Sequence, residues 1–415
     1  MSYCGLDFGT SNSTIGIFNQ QKIKMVALES DAVILRSAIF LDDEECDIYF
    51  GETAIQQYIE GADGRLMTSI KSVLGSSLMD QKTRVFNKMM PFSDILGYFI
   101  KHMKVKAELS SNRELDSVVL GRPVRFNDRD DSADKLAEDT LRNIAKAQGF
   151  KHIEFQYEPI AAALAYAENI ETEELALIVD IGGGTSDFTL IKIAPQTSHT
   201  SSQILSTAGV HIGGTNFDQL LSYHNVMPLL GLHTSLRSMN GTDIEVPSSY
   251  FSDLSTWHKI NHLYSKETLI NIKTSLATAN DKTRIKRLFN VLENREGHRL
   301  IDRIETGKKA LSEVESIQLP LEFIEEDLSV EIKKSDFEEI IDNDLQKVYQ
   351  TIHSLLLEAA IKTDDIDIVF FTGGTTKIDK IRHDIMQFFS HAKEVKGDVF
   401  ASVGYGLTLD ASRRF

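Results

Sequence analysis

The sequence predicts an α/β protein built as two lobes. Three observations carry that prediction. The chain has 415 residues, more than one hydrophobic core usually serves. Period-two apolar runs and helical periodicity intermingle along its whole length, the pattern of mixed strand and helix layers. A strand–Asp–Gly turn–strand unit occurs twice, as LDFGTSNSTIGIF near the start and VDIGGGTSDFTLI from residue 179.

The elements follow in order. YCGLDF, STIGIFN, KIKMVAL and SAIFLD alternate as strands do. Residues 92–109 have helical spacing, and VVLGRPV is a strand stopped at Pro123. Residues 129–149 predict a helix capped by Gly149. IEFQYEP is a strand, AAALAYAENI a short alanine-rich helix, and ELALIVDI and DFTLIKIA are strands flanking the glycine run. Residues 215–231 read as helix, and 232–300 as less regular but mostly helical. ESIQLPLEF and LSVEI are strands, 335–361 is a long helix, IDIVFFTGG a buried strand and KIDKIRHDIMQFF a helix. With seven prolines and no low-complexity stretch, no flexible linker is expected, so the lobes belong to one compact chain. The two acid-led units align Asp7 with Asp180, Thr10 with Thr185 and Ser11 with Ser186.

Composition narrows the functions. Apolar residues make up 42% of the chain, enough for substantial cores. A net charge of −17 opposes binding to nucleic acid or to anionic membranes. Two cysteines, Cys4 and Cys46, are too few for a disulfide framework or a zinc knuckle. The N-terminus lacks a signal-peptide pattern, and no run approaches the ~20 apolar residues that span a bilayer. A soluble cytoplasmic protein is expected, with monomer as the default state.

The glycine turns carry the chemistry. Glycines between strands leave backbone N–H groups unshielded, so an anion can approach them, and Thr and Ser add hydroxyl donors. An acid beside an anion makes sense when hydrated Mg²⁺ lies between them, because Mg²⁺ keeps several waters and takes few carboxylates. No Gly-Lys-Ser/Thr follows, so this is not a P-loop; a strand rather than a helix follows, so it is not a dinucleotide fingerprint. A single such turn reads as an ordinary hairpin. Two of them, each with a leading Asp and trailing hydroxyls, point to gripping a triphosphate from both sides.

LDFGTSNS, EPIAAALAYA, VDIGGGTSDF, HIGGTNFD, ETGKKALS and FTGGTTKI occur in that order. Together they resemble the ATPase domain of DnaK-type heat-shock chaperones, and more closely its YegD-like branch, over most of residues 3–222 and 303–409 and patchily over 223–302. The resemblance implies an actin-like fold with ATP/ADP and Mg²⁺ between the lobes. It implies lobe I from 1–168 with 400–415 returning to it, and lobe II from 169–399 with 223–302 as an enlarged helical outer part. Asp7 and Asp180 match the acids associated with Mg²⁺. Gly9, Thr10, Ser11 and Asn12 match the first phosphate loop, and Gly182, Gly183, Gly184 and Thr185 the second, with Asp187 beside it. Lys71, in SIKSVLG, matches a lysine near the γ-phosphate, and Glu158 a carboxylate that orients or deprotonates water. With Asp7, Asp180 and Thr185 these form the implied catalytic set. Gly213 and Gly214 match a further phosphate-proximal turn. Glu305, Lys308, Lys309 and Ser312 match the adenosine helix, and Gly373, Gly374 and Lys377 its second element.

Some of these residues have a rationale of their own. Pro159 suits a first helical turn, and an acid there also suits the helix dipole. Alanines 161–163 and Ala165 make a thin helix able to cross another closely, and VGYGLTL (403–409) resembles its small-residue partner at the family's hinge. Glu305, Lys308, Lys309 and Ser312 are spaced to share one helix face.

The sequence also departs from the family. Lys309 and Lys377 stand where the chaperones carry adenine-stacking arginines, and lysine lacks the planar guanidinium. Weaker ATP binding is therefore expected. Thr215 replaces an acid, and GDVF (397–400) does not match NPDE. The chain stops at ASRRF without a peptide-binding domain, so a conventional client clamp is not expected within it. His258 and His262 read as a plain helix face rather than zinc ligands, and KTRIKR (282–287) as a solvated face. The expected activity is slow ATP hydrolysis whose shape change acts on an unidentified protein partner or client. The alternatives are a sugar or acid kinase of the same fold, and a non-catalytic nucleotide-binding module or filament former.

Overall fold

In a computed structural model, which describes residues 2–19, 22–75, 79, 81–86, 88–126, 130–168, 170–195, 202–237, 243–395 and 401–415, the first acid-led hairpin lies at the centre of a sheet. Strand β1 (Tyr3–Phe8) pairs antiparallel with β2 (Asn12–Asn19), which pairs antiparallel with β3 (Lys22–Met25). On its other side β1 pairs parallel with β4 (Ser117–Arg122), and β4 parallel with β5 (His152–Tyr157). Cys4, Leu6, Phe8, Ile15 and Ile17 line one face and are buried, while Gly5 and Gly16 on the other face meet Thr408 of the last helix. Helix α1 (Phe92–Ser111) covers one face, with Phe99 against Phe8 at 5.7 Å between ring centroids.

The second hairpin builds a sheet of the same plan. Strand β6 (Glu174–Ile181) pairs antiparallel with β7 (Ser186–Ile193), and β7 antiparallel with β8 (Gln203–Val210). On its other side β6 pairs parallel with β9 (Ile368–Thr372), and β9 parallel with β10 (Lys393–Val395). The order β3-β2-β1-β4-β5 is thus repeated as β8-β7-β6-β9-β10, with the same strand directions. The repeat is real, but its alignment needs correction. Asp7 faces Thr14 and Phe8 faces Ser13, whereas Asp180 faces Asp187 and Ile181 faces Ser186. Both turns hold four residues, Gly9–Asn12 and Gly182–Thr185, so Thr185 corresponds to Asn12 and Ser186 to Ser13, not to Thr10 and Ser11. Ser13 and Ser186 are both fully buried, in keeping with that register.

Helices α2 (Asp131–Ala147) and α3 (Glu158–Ala167) follow β4 and β5. Asp130 caps α2 by accepting from the Ser132 and Ala133 N–H groups at 2.9 and 3.2 Å. Gly149 follows at φ +93°. The last helix, α9 (Ala401–Arg414), lies against β1, β2 and α3. A side chain at Gly406 would collide with the backbone of Ala161, so the thin helix and the small-residue helix do cross backbone to backbone. The side chain of Ala165 lies outside the described residues, as do residues 397–400 and their contrast with NPDE.

The chain forms two compact units. The first comprises Met1–Val210, Thr351–Thr376 and Asp384–Phe415; the second comprises His211–Gln350 and Lys377–His383. The polypeptide passes from one to the other after residues 210, 350, 376 and 383. The first unit holds both sheets, β1–β5 and β6–β10.

The second unit contains α4 (Gly214–Leu221), α5 (Lys282–Glu293), α6 (Gly297–Leu311) and most of α7 (Lys334–Glu358), with the hairpin Ser316–Pro320/Ser329–Lys333. The expected 215–231 helix is broken: after α4 the chain widens into a π-turn (Ser222–Val226) and then a 3₁₀ turn (Met227–Leu230) containing Pro228. Helix α8 (Asp379–Phe388) begins in this unit. Among the described residues, no helix is long and apolar enough to cross a membrane.

Candidate functional site

Asp7 lies near the end of β1, one residue before its turn, and Asp180 holds the same place on β6. Both are half-buried. Burial, then Glu158, pushes the Asp7 carboxyl up to about 7, with Lys71 opposing. Burial, then Asp187, Glu158 and Asp7, pushes Asp180 up to about 8, again with Lys71 opposing. Glu158 therefore disfavours ionisation of both acids, Asp7 adds to the effect on Asp180, and one lysine is set against several carboxylates.

That lysine sits in a 3₁₀ turn (Ile70–Val73), and its amine is 2.7 Å from Glu158 Oε1. Only 8% of the Lys71 side chain is exposed. Glu158 opens α3 with Pro159 behind it, so the expected acid at the helix start is held as an ion pair with Lys71. Asp7, Lys71, Glu158 and Asp180 are brought together by two strand ends, one helix start and one turn, all in the first unit.

The two turns above the acids are braced differently. In the first, Ser37 Oγ donates to Gly9 O at 2.7 Å, and Ser37 N–H donates to Ser11 O at 2.8 Å. Thr10 faces solvent. In the second, Gly182 N–H donates to Thr185 O at 2.9 Å, and Thr185 Oγ1 to Asp187 Oδ2 at 2.9 Å. Gly184 and Thr185 are exposed, and a Cβ at Gly184 would meet nothing within 4 Å. The second turn is thus an open rim of main chain, as an approaching anion requires.

Two further residues complete this site, Gly121 outside the quoted motifs and Thr375 within FTGGTTKI but without a role of its own there. Gly121, on β4, lies where a Cβ would stand 3.5 Å from Asp7 Oδ1 and 3.3 Å from Glu158 Cγ. Thr375 Oγ1 donates to Gly182 O at 2.8 Å and so supports the second turn from below. Gly373, matched above to the second adenosine element, lies beside Asp180. Its φ is +82°, and a Cβ there would be 2.6 Å from Asp180 Oδ1. Gly374 follows in a 3₁₀ turn ending at Lys377, whose side chain faces solvent.

The remaining expected residues lie in the second unit. Gly213 caps α4, accepting nothing through a side chain but donating its N–H to Asn216 Oδ1 at 2.9 Å. Lys308 is buried and donates to Gly214 O at 2.9 Å and to Asp218 Oδ2 at 2.8 Å. Burial pushes the Asp218 carboxyl up while Lys308 opposes it, and its Oδ1 has no hydrogen-bond partner. Lys309, on the wet side, pairs with Glu305 at 2.7 Å, and Ser312 ends the helix half-buried. The four residues span one broad band of α6, and at its edge Lys308 turns inward and ties α6 to the Gly213–Gly214 turn. Thr215 is exposed. His258 and His262 are both exposed, and in KTRIKR Arg287 pairs with Glu325 at 2.7 Å while Ile285 is buried.

The residues at the turns fit a magnesium ion. Asp7 and Asp180 offer hard oxygens in a crowd of carboxylates whose charge a divalent cation would relieve, and Mg²⁺ needs few carboxylates because water and phosphate complete its shell.

A doubled sheet with an acid-led hairpin at each centre defines the actin-like ATPase architecture. The family model described as Hsp70 protein matches residues 3–95, 88–288 and 275–411, and the chain belongs to the Hsp70 family. It is a chaperone-like ATP-binding protein. The match runs through 223–302, where the motif resemblance is patchy.

Proposed function

We propose that the chain is an ATP-driven switch of the YegD-like branch. It binds Mg–ATP, hydrolyses it slowly and passes the change of shape to a protein partner. The observation that carries this reading is the pair Asp7 and Asp180, each beside an acid-led turn and each raised by burial and by neighbouring carboxylates. Such an arrangement costs stability and is explained by a cation that the pair holds through water.

In this reading the main-chain N–H groups and hydroxyls of Gly9–Asn12 and Gly182–Thr185 take the phosphate oxygens. Asp187 keeps Thr185 oriented. The γ-phosphate competes with Glu158 for the Lys71 amine, and Lys71 then neutralises charge on the departing phosphoryl group. Glu158, released from its ion pair, accepts a proton from the attacking water. Bound Mg²⁺ supplies charge neutralisation across the phosphates. Glu305, Lys309, Ser312, Gly374 and Lys377 hold the adenosine, with Lys308 fixing the Gly213–Gly214 turn. The lobes, 1–168 with 400–415 and 169–399, close around nucleotide and pivot where α3 crosses α9. Residues 223–302 form the enlarged outer part. The protein works in the cytoplasm.

The test is phosphate release under single-turnover conditions, with Mg²⁺ and with EDTA. Slow Mg²⁺-dependent release that sugars do not stimulate supports the switch. Absence of nucleotide binding in calorimetry at millimolar ATP would sink it. Affinity should fall below that of a DnaK-type chaperone measured alongside, because of Lys309 and Lys377.

A further inference from the structure

We propose that Arg122 is a positioning residue for the Lys71–Glu158 pair: it fixes the turn that sets Phe126 against the Lys71 amine and the tyrosine that leads into Glu158. The functional meaning of that pair rests on the reading above; the geometry does not.

Arg122 is the last residue of β4, and its partner across the sheet is Tyr157, the last residue of β5 and the neighbour of Glu158. The guanidinium lies between two rings, 5.2 Å from the Phe126 centroid and 5.4 Å from that of Tyr157. Only 11% of the side chain is exposed. Its N–H edges are engaged all round. Nη2 donates to both Asp134 oxygens at 3.1 and 2.8 Å, Nη1 donates to Glu138, and Nε donates to Pro123 O at 3.1 Å.

Asp134 does more than balance the charge. Its Oδ1 also accepts the Phe126 N–H at 2.6 Å, so one carboxylate joins the guanidinium to the backbone of the turn. Glu138 extends the network to Arg142, which donates to Ile153 O on β5 at 2.7 Å. The first turns of α2 are therefore stitched to the last residue of β4, and Arg142 further along the helix ties it to the start of β5.

Beyond the Phe126 ring, 6.0 Å from its centroid, stands Lys71 Nζ. The amine is bounded by that ring and by the Glu158 carboxylate. Loss of the guanidinium would free both boundaries together: the ring through the Pro123–Phe126 turn, the carboxylate through Tyr157. Lysine could not replace it, because a single ammonium has no planar face to lie against two rings and no three separate nitrogens to reach Asp134, Glu138 and Pro123 O at once.

The test uses the full chain as Arg122→Met, Arg122→Lys and Phe126→Leu. Reaction of Lys71 with an amine-reactive ester is followed by mass spectrometry and compared with Lys104, a buried lysine paired with Glu108 in the same unit. Lys71 should react several-fold faster in Arg122→Met and Phe126→Leu, and Arg122→Lys should not restore protection, while Lys104 is unchanged. Single-turnover hydrolysis should fall about tenfold with ATP affinity preserved, as for a misplaced catalytic group. Unchanged Lys71 reactivity in both Met and Leu variants overturns the proposal, whether or not the protein hydrolyses ATP. Faster labelling in a protein that never turns over ATP upholds Arg122 as the positioning residue and removes the hydrolytic reading instead.

Discussion

Replacing Asp180 by Asn should stabilise the metal-free protein. The amide has nearly the same shape but no charge to bury or to repel Asp7, Asp187 and Glu158. An Asp with an ordinary pKa near 3.8 that rises to about 8 on folding loses stability as the pH climbs between those values, because the unfolded chain releases its proton first. At about 1.4 kcal/mol per pH unit, a sealed carboxyl would cost roughly 5 kcal/mol at pH 7.5. Asp180 is half-buried, and screening by solvent reduces the expected gain in D180N to about 1–3 kcal/mol. Chemical denaturation in EDTA from pH 5 to pH 8 measures it. D180N should be the more stable form at pH 8, and the gap should shrink towards pH 5. With Mg–ATP the order should reverse, because the wild-type carboxylate then holds its cation, and hydrolysis should suffer more than adenosine binding. A D180N protein that is less stable than wild type by the same amount at every pH, or that turns over ATP normally, would show that the acids are not a strained cation site.

Three further outcomes follow from the same geometry. Lys71→Ala should slow single-turnover hydrolysis by about 10²–10³ while ATP affinity changes little, since the lysine acts on charge that develops in the transition state; equal losses in both would make it a ground-state ligand only. Gly373→Ala combines a φ of +82° with a side chain driven against Asp180, and should lower stability by about 2–4 kcal/mol in thermal or urea melts. Lys308→Met leaves the buried Asp218 without its partner and should cost about 3–5 kcal/mol, much of it recovered in a Lys308→Met/Asp218→Leu double variant; a double variant no more stable than the single would contradict that pairing.

The sequence reveals those parts of the molecule whose cause is local. Asp before a glycine turn, Pro159 behind Glu158 and alanines facing a small-residue helix each leave a mark within a few residues, and the acid-led hairpins and the α3–α9 crossing stand where those marks place them. Contacts across the chain leave no such mark. Thr375 supports Gly182 from 193 residues away, and Gly121 meets Asp7 only because β4 pairs with β1. The helix Gly51–Ile59 has no local cap; Glu29 accepts its Glu52 and Thr53 N–H groups at 2.9 and 2.8 Å. Helical spacing puts Glu305, Lys308, Lys309 and Ser312 in one broad band, but it does not say that the edge of the band at Lys308 meets α4. The aligned Thr-Ser pairs mislead for a related reason: strand register, set by turn length, decides equivalence rather than matching letters.

The most direct measurement is a crystal structure with Mg²⁺ and a non-hydrolysable ATP analogue. The phosphates should lie against the main chain of Gly9–Asn12 and Gly182–Thr185, with the cation between them and Asp7 and Asp180, and Lys71 turned from Glu158 to the terminal phosphate. Nucleotide bound elsewhere, with the two turns bare and the Lys71–Glu158 pair intact, would contradict it.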